Sequence, residues 1–177
     1  YVTRQVDVIV ISVFSSDQMA QCMSAASGAS IPVFYLASSL ETGMAGAIGT
    51  SVPGPINEAM ISAVKDLPNL RILAMTLQPG APCRAREADL DDQLEAAGLS
   101  DKIDKHEVVV PGQVTDAQAA TTAWLSAHPE SAGEDLVIWS CFADPAVGAY
   151  AALQQAGRDV PIYTWDLTKP AVDPIKS

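Results

Sequence analysis

Arg71-Ile72-Leu73-Ala74-Met75-Thr76-Leu77, followed by Gln78-Pro79-Gly80-Ala81 and then Pro82, decides the fold. The first seven residues read as a strand. Gln78 to Ala81 carry turn chemistry. Pro82 stands at a helix N1 position, where its missing N–H leaves nothing unpaired. Arg86, Leu90, Leu94 and Ala97 then line one helical face up to Gly98. Strand, turn and helix in that order make up most of a βα unit.

The same rhythm extends in both directions. Upstream, Asp7-Val8-Ile9-Val10-Ile11-Ser12 is a continuous apolar run suited to a parallel strand buried on both faces. Ser16 is placed to cap a helix whose Met19, Cys22, Met23 and Ala26 share a face and which Gly28 would stop. Ile31 to Leu36 is the next strand, with Pro32 tolerated at its start. Residues Ala37 to Pro55 are rich in Ser, Gly and Thr and read as a linker, with a short apolar step at Ala45 to Ile48. Pro55 to Leu67 reads as a helix. Downstream come a strand at Glu107 to Val110 and a helix capped by Thr115 and stopped by Pro129. A strand at Leu136 to Cys141, a helix from Asp144-Pro145 to Gly157 and a strand at Val160 to Trp165 follow. Strands recur roughly every 25–30 residues with helices between them. The expected fold class is therefore α/β, with Rossmann-like parallel sheets flanked by helices through right-handed crossovers.

Composition narrows the function. Of 177 residues, 49% are hydrophobic and 18% charged, which excludes a disordered chain. Ten Lys and Arg stand against 21 Asp and Glu, a formal charge of −11. A surface that acidic repels phosphate backbones and anionic membranes, so nucleic acid is excluded as a partner of this segment. No apolar run reaches the about 18 residues of a bilayer span, and no membrane insertion is expected of it. No secretory leader is visible at Tyr1-Val2-Thr3-Arg4-Gln5, and the natural N-terminus is expected to lie upstream. Cys22, Cys83 and Cys141 are too few for a disulfide framework. A bridge between Cys83 and Cys141 and a pair of buried thiols are both open readings.

In open parallel sheets, ligands bind beyond the carboxyl ends of the strands. The residues there are Ser12 to Asp17, Ala37-Ser38, Gln78 to Arg86, Pro111-Gly112-Gln113, Phe142-Ala143-Asp144 and Asp166-Leu167-Thr168. Hydroxyls, carboxylates, guanidinium groups and aromatic rings suit polyols, through directional charge-assisted hydrogen bonds and aromatic cover of C–H surface. Arg84 and Arg86 open a helix, where cations oppose the dipole; function and an ion pair with Glu87 or Asp89 compete there. Asp166 could instead cap a turn through Thr168. Trp139 reads as core and Phe142 as the stacking candidate. His106 and His128 stand alone, so neither metal nor catalysis is expected, and no cofactor motif appears.

A resemblance runs through these residues. Val6-Asp7-Val8-Ile9-Val10-Ile11-Ser12, Ser16-Asp17, Gly28 and Ile31-Pro32-Val33 are similar to the first lobe of type I periplasmic solute-binding proteins. The likeness continues through Arg84-Ala85-Arg86-Glu87, Ala127-His128-Pro129-Glu130 and Asp144-Pro145-Ala146-Val147-Gly148-Ala149. It then runs through Ala156-Gly157-Arg158-Asp159-Val160-Pro161-Ile162 to Trp165-Asp166 and Val172-Asp173-Pro174-Ile175-Lys176. No single motif is specific, but the collinear series is. The resemblance implies a two-lobed fold with the first lobe incomplete: residues 1–51 a remnant of the N-terminal lobe, residues 52–177 most of the C-terminal lobe. It implies a non-enzymatic, extracytoplasmic protein of periplasm or cell exterior, with a lipid anchor upstream as one arrangement. Such a protein captures a sugar or sugar alcohol in an interlobe cleft and delivers it to the permease of an ABC transporter. The family's clamping arginine falls on Arg84 or Arg86, its strand-end aspartate on Asp166 and its first polar contact on Ser12. Two family positions have changed: its Asp-Arg pair is Ala37-Ser38 here, and its asparagine is Phe142. Those changes point away from ribose or galactose towards a sugar alcohol or deoxy sugar. The ligand-binding candidates are thus Arg84, Arg86, Phe142, Asp166, Ser12 and Gln113. The alternative is the effector-binding domain of a lactose-repressor-type regulator, which shares the fold; an upstream helix-turn-helix would mark it. A small α/β enzyme ranks last, since no nucleophile–base pair stands out.

Overall fold

A computed structural model of the chain describes residues 1–49 and 54–176. Its contacts divide the chain into two compact units: Tyr1–Val52 with Gln78–Ala85, and Pro53–Leu77 with Arg86–Ser177.

The first unit is built on three parallel strands, β1 (Ile9–Ser12), β2 (Val33–Leu36) and β3 (Gly46–Ile48), in that order, with the helix α1 (Ala20–Gly28) between β1 and β2. Ile9 pairs with Val33, and Phe34 with Gly46. Side chains alternate across the sheet. Ile11, Val33 and Tyr35 face inward and pack with Ala26, Met19 and Met23 of the α1 region. Val10, Phe34, Leu36 and Ile48 point the other way and are exposed. The Phe34 ring lies over Gly46, where a Cβ would come within 2.9 Å of it. Ser16 does not cap α1. The helix starts four residues later behind Met19, and the Ser16 hydroxyl donates to Glu41 instead. Gly28 is the helix's last residue, and the left-handed turn that ends it falls on Ser30, at φ 58°.

The second unit carries four parallel strands in the order β5-β4-β6-β7. In chain order its elements are α2 (Pro55–Val64), β4 (Leu70–Thr76), α3 (Ala81–Ala97), β5 (Ile103–Glu107) and α4 (Gln113–Ala127). They continue with β6 (Asp135–Ser140), α5 (Ala143–Ala156), β7 (Ile162–Thr164) and the short α6 (Lys169–Val172). The unit boundary falls inside α3, between Ala85 and Arg86. One sheet face packs on α4 and α5, through Leu73, Met75, Leu136, Ile138, Ala117, Trp124, Leu125, Ala149 and Leu153. The alternate residues Ile72, Ala74, Val137 and Trp139 are buried on the opposite face. There Trp139 bonds Asn57 of α2, which in turn bonds α3. The strands read as apolar runs because both faces are covered.

Two further elements depart from the sequence reading. The strand expected at Glu107 to Val110 lies at Ile103–Glu107 instead. The helix expected to start at Thr115 begins at Gln113 behind Gly112, whose φ of 114° a side chain would resist. Part of the Ala37 to Pro55 linker, residues 50–53, lies outside the described residues.

Candidate functional site

Strand order fixes where the site belongs. The chain leaves β4 to form β5 on one side and returns to place β6 on the other. The carboxyl ends of β4 and β6 therefore flank a topological switch point.

Arg86 occupies that point. It lies in the second turn of α3, beyond the reach of the unfavourable first-turn dipole, and is only 7% exposed. Its Nη1 donates to the carbonyl of Cys141, immediately after β6, at 2.6 Å. Its Nη2 lies 3.7 Å from Asp166 Oδ1. Its carbon Cζ sits 5.2 Å from the ring centre of Trp165, a cation–π arrangement. Nε is buried with no hydrogen-bond partner among the described residues. Arginine suits this place because its planar fork can hold several acceptors at once and its charge is permanent.

Trp165 and Asp166 follow β7. Asp166 adopts a left-handed conformation, φ 70°, which Asp tolerates better than most residues. Its carboxylate is half exposed, so it can bind Arg86 and still reach a ligand hydroxyl. Trp165 is held from its other side by Trp139, ring centres 5.3 Å apart and planes at 77°. That edge-to-face geometry is favourable for two aromatic quadrupoles. Trp139 is fully buried.

The remaining candidates are placed as follows. Phe142 is the extended residue before α5, and its ring packs against the α4–α5 core. The residue before it, Cys141, accepts from Arg86 through its carbonyl. Gln113 opens α4, and its Nε2 donates to Asp144 of α5 at 2.9 Å. This second polar pair also sits on the carboxyl side, after β5 and β6. Arg84 belongs to the first unit, where Nη1 donates to the Gln78 carbonyl at 2.5 Å. Ser12 is exposed at the end of β1, in the same unit. The carboxylates beside Arg86 in sequence are engaged elsewhere. Glu87 meets Lys105 at 2.8 Å, and Asp89 accepts from Asn57 and Gln93. Thus the second unit brings Arg86 and Asp166 together and adds Trp165, which the sequence reading placed near the strand ends without assigning it a role. Asn57 went unnoticed. Its signal was a polar residue three and seven positions before Met60 and Val64, on the buried face of α2.

Among the described residues no group of three or more His, Cys, Asp or Glu converges as a metal site would require. No helix among them is long and apolar enough to cross a membrane.

An open parallel sheet covered by helices on both faces places the second unit in the doubly wound class, whose ligand sites lie at such switch points. The chain belongs to the periplasmic binding protein domain family, which it matches over residues 1–177, and has the type I fold of that family. Among solved structures it is similar to an ABC sugar transporter subunit from Rhodobacter sphaeroides 2.4.1, with a TM-score of 0.80 and 20% identity over 99% of this chain and 63% of that one. An ABC transporter solute binding protein from Agrobacterium vitis with bound allitol gives 0.78 and 22%, over 99% and 60%. A LacI family transcriptional regulator from Silicibacter pomeroyi gives 0.67 and 19%, over 91% and 59%. The chain spans about three fifths of the length of these structures. No curated protein matches it in sequence.

Proposed function

We propose that the chain is the larger part of an extracytoplasmic solute-binding protein that captures a sugar or sugar alcohol, leaves it chemically unchanged, and delivers it to the permease of an ABC importer. Residues up to about Ser51 are a remnant of the N-terminal lobe in this reading, and the rest most of the C-terminal lobe. The observation that carries it is the buried guanidinium of Arg86, held by a carbonyl, a carboxylate and an indole face at the switch point. Keeping a charge that buried is costly unless it serves a partner. A vicinal diol accepts from such a fork while donating to Asp166, and the Trp165 ring covers its C–H surface. Gln113, Arg84, Ser12 and Phe142 are the further ligand contacts. The change of the family's Asp-Arg pair to Ala37-Ser38 favours a sugar alcohol or deoxy sugar.

Melting the full-length protein with and without allitol, ribitol, D-ribose and D-fucose tests the reading. A true ligand at a hundred times its Kd stabilises by about 2.7 kcal/mol. A flat response to every carbohydrate and polyol tried would overturn it. The regulator reading draws on the Silicibacter pomeroyi likeness, but that likeness is weaker than the transporter ones, 0.67 against 0.80. Sequencing upstream of Tyr1 separates the two: an export signal supports capture, and a basic helix-turn-helix supports regulation.

A further inference from the structure

Asn57 is fully buried in α2 and its amide is committed on three sides. Nδ2 donates to the Arg86 carbonyl at 3.0 Å and to Asp89 Oδ2 at 2.6 Å. Oδ1 accepts from Trp139 Nε1 at 2.7 Å. The orientation of the amide follows from chemistry. An indole N–H only donates and a carboxylate only accepts, so the flipped amide would set donor against donor and acceptor against acceptor.

These contacts close a ring. Asn57 holds the backbone of Arg86 and the indole of Trp139. Trp139 meets the Trp165 ring edge to face, and Trp165 carries the guanidinium of the same Arg86. Both ends of Arg86, backbone and guanidinium, are thereby referred to one buried amide. A side chain that merely filled space would need none of this directionality; here the amide accepts from the buried indole N–H, which an apolar side chain would leave unsatisfied, and donates to the Arg86 carbonyl and Asp89. We infer that Asn57 is a positioning residue, which sets the Arg86–Trp165 pair in the geometry that grips the ligand and never touches the ligand itself. The inference rests on the sugar-capture reading for its consequence, although the ring of contacts stands without it.

The test uses the full-length protein and the near-isosteric Asn57→Leu. Trp139→Phe serves as a second variant that removes the same N–H while keeping a ring. Near-ultraviolet circular dichroism reads the Trp139–Trp165 pair, whose band is identified by its loss in Trp165→Phe. Calorimetry with allitol and D-fucose reads affinity. Asn57→Leu is expected to keep the far-ultraviolet spectrum, lose the paired-indole band and bind about tenfold more weakly, the equivalent of one hydrogen bond. Retention of both band and affinity would overturn the inference. If Asn57→Leu does not fold, Trp139→Phe decides: a tenfold loss supports the role and unchanged affinity refutes it. Should the wild type bind neither sugar, the capture reading suffers, and the band in Asn57→Leu alone still decides the positioning role.

Discussion

Two side chains outside the candidate site show how local chemistry sets stability. Tyr35 is fully buried in the first unit, and its hydroxyl has no partner among the described residues. Burial, with lesser contributions from Glu41 and Cys22, pushes its phenol above the ordinary value. Removing an unsatisfied buried hydroxyl relieves its desolvation, so Tyr35→Phe is expected to be neutral or to stabilise by up to about 1 kcal/mol in urea melts; a clear loss would reveal a hidden partner. Asp116 is the opposite case. Burial pulls its pKa up, but hydrogen bonds from His106 and the Val109 N–H outweigh that and leave the carboxyl below the usual range. A carboxyl depressed in the folded state contributes stability that is complete above its unfolded pKa of about 3.9 and fades as pH falls through the folded value. Asp116→Asn should therefore cost about 1 kcal/mol at pH 6, and that deficit should shrink towards pH 3. Urea melts at both pH values check it, and a deficit that grows on acidification would contradict the assignment.

At the scale of elements, Gly148 sets how closely α5 approaches α4. A Cβ there would collide with the Val114 carbonyl oxygen and lie 3.0 Å from the Gln118 nitrogen. Both are backbone atoms of a packed helix and cannot swing aside. Gly148→Ala gains helix propensity, about 1 kcal/mol, yet overpacking is expected to win and leave a net loss of about 1–3 kcal/mol in denaturant melts. Stabilisation would mean the helices can part freely. The same packing explains what was legible beforehand. Strands covered on both faces must be apolar, so β4 and β6 announce themselves as runs, and Pro82 and Gly157 mark helix ends. The strand β5 hides because it is an edge strand built from Ile103-Asp104-Lys105-His106-Glu107. Its polar side chains alternate between two helices: Asp104 takes the Trp124 N–H and His106 meets Asp116 of α4, while Lys105 meets Glu87 and Asp91 of α3. The neighbouring Val108-Val109-Val110 looks more strand-like and is not. Arg86 and Asp166 could be nominated from their place after a strand together with the resemblance, with Arg84 as an equal candidate beside Arg86. The role of Asn57 could not, because Trp139 lies 82 residues away and only the fold joins them.

For the chain as a whole, the two units differ in how much apolar surface each encloses. Among the described residues, the second gathers eleven buried residues in one cluster between its sheet and the pair α4–α5, with further buried side chains on the α2–α3 face. The first gathers four among its described residues, under one helix, and leaves Val10, Phe34, Leu36 and Ile48 of its other sheet face exposed. Opening free energy tracks buried apolar contact, so local unfolding should begin in the first unit. Of the formal charge of −11, the first unit carries −1 (two arginines against three carboxylates) and the second −10 (eight Lys and Arg against 18 Asp and Glu), so self-repulsion bears almost wholly on the second unit. In hydrogen exchange on the 177-residue chain, amides of β1 and β2 are expected to exchange at least about tenfold faster than those of β4 and β6, a gap of about 1.4 kcal/mol in opening free energy. Lowering the salt should narrow that gap, because a longer screening distance strengthens the repulsion within the acidic second unit and hardly touches the first. Equal protection of β1 and β4 would show that the chain opens as one cooperative body and that the small core of the first unit is not what limits it.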